Sequence, residues 1–266
     1  MKSLQVFVLV FLFIFSSCEK VVQIPLNDAD PQIVVEAVGK SLVGKSYVLL
    51  SKTISSSGSP SGIERLSGAV VEVSDNVGGY FVFVENPAVD GQYIHPTFSV
   101  LPNTNYNLNV AYEGESLSAE SRSLTMPQID SFFVFQSAGA PGQEPGDTTN
   151  VLIYTVSDNP DEKNFYRFVL WVNGVKENII FIETDDLGNG EVYTSPFFGI
   201  SFNSSDSVYA ELWSMNKQNY DYFSALNSNL NQSPFSAAPS SLPSNIENGI
   251  GYYGAFMVDT ISIIIP

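Results

Sequence analysis

Residues 165–176 have the sequence FYRFVLWVNGVK, and the Asn-Gly pair in this stretch decides the fold class. Asn173 and Gly174 separate two runs that are rich in β-branched and aromatic residues. A two-residue Asn-Gly connection is typical of a type I′ turn, which needs a positive φ angle at both positions. The stretch therefore predicts an antiparallel β-hairpin.

Similar runs continue on both sides of this hairpin, each bounded by Gly, Pro, Asn or Asp. One segment only, residues 216–229, has apolar residues at helical spacing, and Asn216 is its expected N-cap. Strands at regular spacing without interleaved long helices are typical of sandwiches and barrels. The predicted strands are 32–38, 47–54, 69–74, 80–85, 106–112, 116–124, 132–136, 151–156, 165–172, 176–184, 191–198, 207–214 and 253–265.

The predicted fold class is therefore all-β. A domain boundary is expected near Pro127. Residues 30–126 have the length and strand number of an immunoglobulin-like β-sandwich. Residues 127–266 are predicted to form a second antiparallel β-rich domain with one short helix.

The N-terminus has the pattern of a secretory signal peptide. Lys2 precedes an apolar run over residues 4–15, and two serines then precede Cys18. A membrane-spanning helix needs about 20 apolar residues, so this run is too short to be one. The small residues before the cysteine resemble the bacterial lipobox. We expect residues 1–17 to be removed, Cys18 to be the lipid attachment site and residues 18–29 to form a tether. The alternative is a buried or free thiol.

Charge and composition exclude several function classes. The 266 residues include 28 acidic and 11 basic side chains, which gives a net charge of −17. Nucleic-acid binding is disfavoured, because few groups could neutralise phosphates. One Cys and one His exclude disulfide frameworks and Cys/His zinc sites.

The candidate metal and catalytic residues favour structural roles. Residues 185–191 (DDLGNGE) resemble a calcium loop, but Leu187 occupies a position that needs an oxygen ligand. An acidic turn is favoured there and at residues 158–162. His95 precedes a proline and has no G-x-S-x-G motif to accompany it. The sequence does not exclude a pair of carboxylates that hydrolyses glycosidic bonds, since no spacing distinguishes any one pair among the acidic residues. No catalytic residue, metal site or cofactor is predicted.

Two further groups of residues suggest surface roles. Trp171, Trp213, Tyr220 and Tyr222 could form a sugar-stacking platform, although core or interface packing is the favoured interpretation. Buried rings would favour an accessory role, and a cleft with rings and two carboxylates about 5–10 Å apart would favour sugar chemistry. Thr148 and Ser207 lie in Asp-Thr or Asp-Ser triplets that resemble an O-glycosylation acceptor of Bacteroidota. Thr260 lies in a third such triplet, within the predicted terminal strand.

Several segments together resemble one protein family. They are residues 18–20 (CEK), 24–26 (IPL), 33–36 (IVVE), 66–75 (LSGAVVEVSD), 91–93 (GQY), 102–108 (PNTNYNL) and 243–255 (PSNIENGIGYYGA). Their order resembles that in a lipoprotein family of Bacteroidota that carries a domain of unknown function. Genes of this family often lie beside those of TonB-dependent receptors.

The resemblance implies a location and a role, and it supplies no catalytic residues. We expect a lipid-anchored protein of the outer membrane that faces the cell surface, with the periplasmic face as the alternative. We expect it to be a non-enzymatic accessory subunit of a β-barrel protein such as a TonB-dependent transporter. The alternative function is a surface glycan-binding protein, or a hydrolase that uses paired carboxylates and exposed aromatic residues.

A partner surface is predicted within residues 223–253, which are rich in Asn, Ser, Pro and Gly and carry one charged residue, Glu247. Aromatic and apolar anchors in neutral surroundings are typical of interfaces. The predicted contacts are Phe235, Leu242 and Tyr252. The alternative is a polar loop that covers the protein's own sheet.

Overall fold

The computed structural model describes residues 30–54, 63–138, 148–186, 189–232 and 240–266. These ranges contain fifteen strands and one helix, α1, at Lys217–Leu230. The strands, β1 to β15, are Ile33–Lys40, Tyr47–Lys52, Val70–Asp75, Tyr80–Glu85, Gln92–Ile94, Asn105–Tyr112, Glu115–Arg122, Gln128–Ala138, Thr148–Ser157, Phe165–Val172, Val175–Lys176, Phe181–Thr184, Val192–Pro196, Ser207–Met215 and Ile250–Ile264. The all-β prediction with one short helix is confirmed.

The Asn-Gly hairpin forms as predicted. Asn173 and Gly174 have φ angles of 52° and 79°, as a type I′ turn requires. Val172 pairs with Val175 across the turn, and β10 and β11 run antiparallel. The predicted strand 176–184 is interrupted, because only residues 175–176 and 181–184 pair with β10.

The main sheet has the strand order β11-β10-β14-β15-β1-β2-β5-β4-β3-β6-β7, with β12 also paired to β10. Its longest strand, β15, has 15 residues and belongs to both halves of the chain. Residues 250–256 run parallel to β1, and residues 257–264 run antiparallel to β14. The boundary predicted near Pro127 therefore does not account for β15, since its first half completes the sheet of residues 30–126.

Two apolar cores lie along one side of β15, the first beside its first half and the second beside its second half. The N-terminal sandwich encloses side chains from β1, β2, β3, β6 and the first half of β15, among them Val35, Leu50, Val71, Leu108 and Tyr253. A second, three-stranded sheet, β13-β9-β8, packs against β10 and β14. Leu152, Phe168 and Leu212 are buried between these two sheets.

Helix α1 lies on the main sheet over a third apolar cluster, which includes Phe165, Trp213, Phe223 and Phe256. Its N-cap is Asn216, whose side chain accepts a hydrogen bond from the Asn219 N–H at 2.9 Å, as predicted. Phe223 is buried against Tyr252, and the Asn219 side chain donates to the Tyr253 carbonyl at 3.0 Å. In the described ranges no helix has both the length and the apolar composition to cross a bilayer.

Candidate functional site

The most chemically varied surface lies on the side of the main sheet that carries α1, which we call the front face. Side chains alternate between the two faces of a strand. The front face therefore receives Lys40 from β1, Arg167 and Trp171 from β10, and Glu211 and Trp213 from β14. Their mutual contacts establish that these residues share one face.

A buried ion pair lies at the centre of this face. The Lys40 Nζ is 2.7 Å from the Glu211 Oε2, and both side chains are less than a tenth exposed. The same oxygen accepts from the Trp213 indole at 2.8 Å, and the other oxygen accepts from the Tyr209 hydroxyl at 3.3 Å. Desolvation lowers the pKa of Lys40, and the charge of Glu211 opposes this shift.

Three further basic side chains on or beside the front face have no ion pair with any carboxylate of the described ranges: Lys45, Arg167 and Lys176. The Arg167 guanidinium lies 3.9 Å from the centre of the Phe223 ring and 5.1 Å from that of Trp213. Its Nε is buried and has no hydrogen-bond acceptor within the ranges that the structure describes. The second carboxylate of this region, Glu36, accepts from the Tyr47 hydroxyl at 2.6 Å.

A groove of about 530 Å³ opens beside the ion pair, and we call it the basic groove. Its walls are formed by Lys40, Lys45, Trp171, Gly174, Ser207, Tyr209 and Glu211. The rings of Trp171 and Tyr209 are 5.3 Å apart between their centres. Desolvation, followed by the charge of Glu211, raises the pKa of Tyr209 to about 12.

The Asn-Gly turn forms one rim of the basic groove. The Asn173 side chain accepts from the Ser207 N–H at 3.0 Å and donates to the Asp206 carboxylate at 2.8 Å. These bonds fix the turn against the start of β14. The hairpin that the sequence predicts therefore also places Trp171 and Gly174 in the groove wall.

The four aromatic residues proposed as a sugar platform do not form one surface. Trp213 is buried and stacks on Phe256 at 4.8 Å. Tyr220 packs on Phe165, and Tyr222 packs on Tyr252. These three rings take the packing role that the sequence favoured, and Trp171 alone lines the groove.

The acidic turns use their carboxylates to fasten strands together. Asp158 accepts from the Tyr166 hydroxyl at 2.7 Å and from the Gly190 N–H at 2.8 Å. Asp185 accepts from the Asn164 N–H at 2.8 Å. In the described part of the chain no three His, Cys, Asp or Glu side chains are grouped as metal ligands.

His95 has aromatic neighbours. Its ring lies 5.5 Å from that of Phe81 and 5.7 Å from that of Phe83, between ring centres. Its Nδ1 accepts from the Thr97 N–H at 3.3 Å. These contacts agree with the structural role that the sequence favoured for His95.

Among the predicted attachment and contact residues, Cys18 and Phe235 lie outside the described residues. Thr148 is the first residue of β9, and Ser207 is exposed at the start of β14. Leu242 is half-buried. Tyr252 requires a correction, because it is 7% exposed and packs against Tyr222 and Phe223. Its ring belongs to the apolar cluster under α1 and is not a surface contact.

An exposed apolar surface lies instead on the three-stranded sheet. Phe133 and Phe135 of β8 are 44% and 55% exposed. They pair across the sheet with Ile153 and Val151 of β9. No other strand of the described ranges pairs with the outer edge of β8. We call these four residues and this edge the β8 surface.

A local sequence pattern is sufficient to predict the exposed apolar side chains of the β8 surface. Residues 132–135 (FFVF) are four consecutive large apolar residues within one strand. Because successive side chains point to opposite faces, half of such a run must face outward unless a second layer covers it. Phe132 and Val134 pack on the core, and Phe133 and Phe135 face outward.

Comparison with known proteins identifies one family. A family model described as a domain of unknown function, DUF4249, matches residues 19–262. No curated protein matches the chain. The matched region begins directly after Cys18 and includes every strand except the last residues of β15.

Proposed function

Since the chain belongs to the DUF4249 family, whose description names no activity, we propose a function from the fold and its surfaces. The protein is a lipid-anchored, non-enzymatic accessory protein of the outer membrane. Its partner is a β-barrel membrane protein. Cys18 at the end of the apolar run supports the anchor, because acyl chains bury enough CH₂ groups for stable attachment.

The observation that carries the partner role is the β8 surface. Proteins usually protect the edge of a sheet with charges, prolines or covering segments. β8 has 11 residues and a single charged one, Asp130, which binds Gln128 and Ser157 within its own sheet. Beyond Ile129, whose N–H donates to the Asp259 side chain at 2.8 Å, such an edge offers main-chain hydrogen bonds to an extended segment of a partner.

The chemistry of the β8 surface fits a partner of the same charge sign. The chain has a net charge of −17, so a charged contact with another acidic protein would be repulsive. Aromatic anchors in uncharged surroundings avoid this repulsion, and aromatic residues carry much of the binding energy at interfaces. Phe133 and Phe135 are such anchors.

The test is a pull-down of the tagged full chain from native membranes in mild detergent. We expect a stoichiometric β-barrel protein with the wild type and its loss with Phe135→Asp. Val77→Asp is the matched control, because Val77 is 67% exposed at the turn after β3, outside the β8 surface. Recovery of the wild type without a partner, or equal recovery with Phe135→Asp, would contradict the proposal.

A further inference from the structure

The basic groove has the size and the wall chemistry of a small-molecule site. Its volume of about 530 Å³ lies within the range of about 300–1,000 Å³ found for ligand pockets. The indole of Trp171 and the phenol of Tyr209 supply flat apolar surface. Lysine side chains and the Ser207 hydroxyl supply polar groups around it.

The charge of this region is opposite to that of the protein. Four basic residues, Lys40, Lys45, Arg167 and Lys176, lie in or beside the groove, with two carboxylates, Glu36 and Glu211, among them and a third, Asp206, at the rim. The whole chain has more than twice as many acidic as basic side chains. A local excess of positive charge in such a chain indicates a preference for anions.

The two carboxylates are already occupied by hydrogen bonds within the protein. Both oxygens of Glu211 are bound, to Lys40, Trp213 and Tyr209. Glu36 accepts from the Tyr47 hydroxyl. In the described part of the chain no carboxylate forms an ion pair with Lys45, Arg167 or Lys176, and Glu36 and Glu211 act on Lys176 only at longer range.

Lys176 lies beside the basic groove, outside its wall residues, and next to Trp171. It lies directly opposite Trp171 in the β10–β11 pair, so the two side chains share a face. Desolvation, followed by the positive charge of Arg167, lowers the pKa of Lys176. An anion bound beside it would add its negative charge to those of Glu36 and Glu211, which already oppose this shift.

We propose that the basic groove binds a small organic anion that carries a ring. The ring stacks on Trp171 beside Tyr209, and the acidic group is held by Lys45 and Lys176. Sugar acids combine these two properties and are the simplest probes. This site is on the front face and does not depend on the β8 surface or on the proposed partner.

The experiment is a calorimetric titration of the full chain in detergent with sodium D-glucuronate and with sodium D-galacturonate. D-glucose supplies the ring without the charge, and sodium acetate supplies the carboxylate without the ring. We expect saturable binding of at least one sugar acid and none of D-glucose or acetate at equal concentrations. The fluorescence of Trp171 and Trp213, the only two tryptophans, should change over the same range.

Variants assign the binding to the groove. Lys45→Glu combined with Lys176→Glu should weaken binding by at least about tenfold, and Trp171→Leu should also weaken it. Arg122→Glu is the matched control, since Arg122 is exposed on β7 and forms no ion pair with the residues that the structure describes. The proposal is overturned if neither sugar acid binds, if acetate binds equally well, or if the lysine variant binds like the wild type.

Discussion

The Nζ of Lys40 lies 2.7 Å from the Oε2 of Glu211, and the two residues are 171 positions apart. Lys40 ends β1 of the N-terminal sandwich, and Glu211 lies on β14 of the second half. Strand β15 runs between them in the sheet. The ion pair and β15 therefore join the same two halves of the chain.

We expect Glu211→Gln to lower the free energy of unfolding by about 3–5 kcal/mol, because the variant leaves a buried ammonium without its carboxylate. Urea unfolding monitored by circular dichroism measures this change. The control is Lys217→Gln, which removes an exposed pair with Asp221 on α1 and should have little effect. Equal effects of the two variants would show that the buried pair has no special role.

The stability of the Glu211→Gln variant should depend on pH in a defined direction. Desolvation already lowers the pKa of Lys40 below its ordinary value of 10.5, and loss of Glu211 removes the interaction that opposes this shift. Between the lowered and the ordinary pKa the native state binds fewer protons than the unfolded state. The free energy of unfolding contributed by Lys40 therefore rises with pH in this window. The free energy of unfolding of Glu211→Gln should therefore approach that of the wild type as pH is raised from neutral toward 10. Urea unfolding at several pH values measures this, and a difference that stays constant with pH would contradict the prediction.

Buried tyrosines predict a loss of stability in alkali. Burial is the main cause that raises the pKa of Tyr47, Tyr154, Tyr166, Tyr193 and Tyr253 above the ordinary value of 10.0. In the unfolded chain these groups lose protons near pH 10, whereas the native state keeps them. Their contribution to stability is therefore complete below pH 10 and decreases as pH rises further.

Phenolate absorbance, recorded with circular dichroism during an alkaline titration, tests this sign. Exposed tyrosines should ionise first, and the buried ones should ionise together with unfolding. Gradual ionisation of all 13 tyrosines near pH 10, with the fold intact, would contradict the expected shifts.

Removal of the hydroxyl should change the free energy of unfolding differently at two buried tyrosines. Tyr253 is buried and its hydroxyl has no hydrogen-bond partner among the described residues, whereas the Tyr93 hydroxyl donates to the Leu66 carbonyl and accepts from the Ala69 N–H. Tyr93→Phe should lower the free energy of unfolding by about 1–2 kcal/mol. Tyr253→Phe should leave it unchanged or raise it, since a buried unpaired hydroxyl is unfavourable. Chemical unfolding of both variants distinguishes them, and equal losses would contradict the assignment.

Local features of the fold were predictable from the sequence, because nearby residues determine them. The Asn173–Gly174 turn needs two positive φ angles, and Asn216 caps the helix that follows it directly. The double pairing of β15 was not predictable. The apolar run over residues 251–258 indicates burial on both faces, but it does not identify β1 and β14 as the neighbouring strands.

The residues of the candidate sites also differ in whether local sequence could predict their position. Phe133 and Phe135 lie in one run, so their outward position could have been inferred from strand alternation alone. Lys40, Lys176 and Glu211 come from three separated strands. No local spacing links these three residues, and only the strand order of the sheet brings them to one face.

Gly251 should be the glycine least tolerant of substitution in the terminal strand. It has φ of 119°, and a Cβ there would lie 2.0 Å from the carbonyl oxygen of Val35 on the neighbouring strand. Gly78 has a similar φ of 103° but no atom within 4 Å of such a Cβ. Gly251→Ala should therefore cost at least about 3 kcal/mol more than Gly78→Ala in urea unfolding. Similar costs would show that β1 and β15 can separate without loss.

The anchor predicted at Cys18 is tested by the state of the N-terminus. In the wild type, mass spectrometry of the native N-terminal peptide should find residues 1–17 removed and Cys18 acylated. Cys18→Ser removes the thiol that carries the lipid, so the protein should move from the membrane fraction to the soluble fraction. Ser17→Ala keeps a small residue before the cysteine and should leave both the modification and the membrane fraction unchanged. An unmodified Cys18 in the wild type, or equal membrane retention of Cys18→Ser in the absence of a partner, would overturn the lipid anchor.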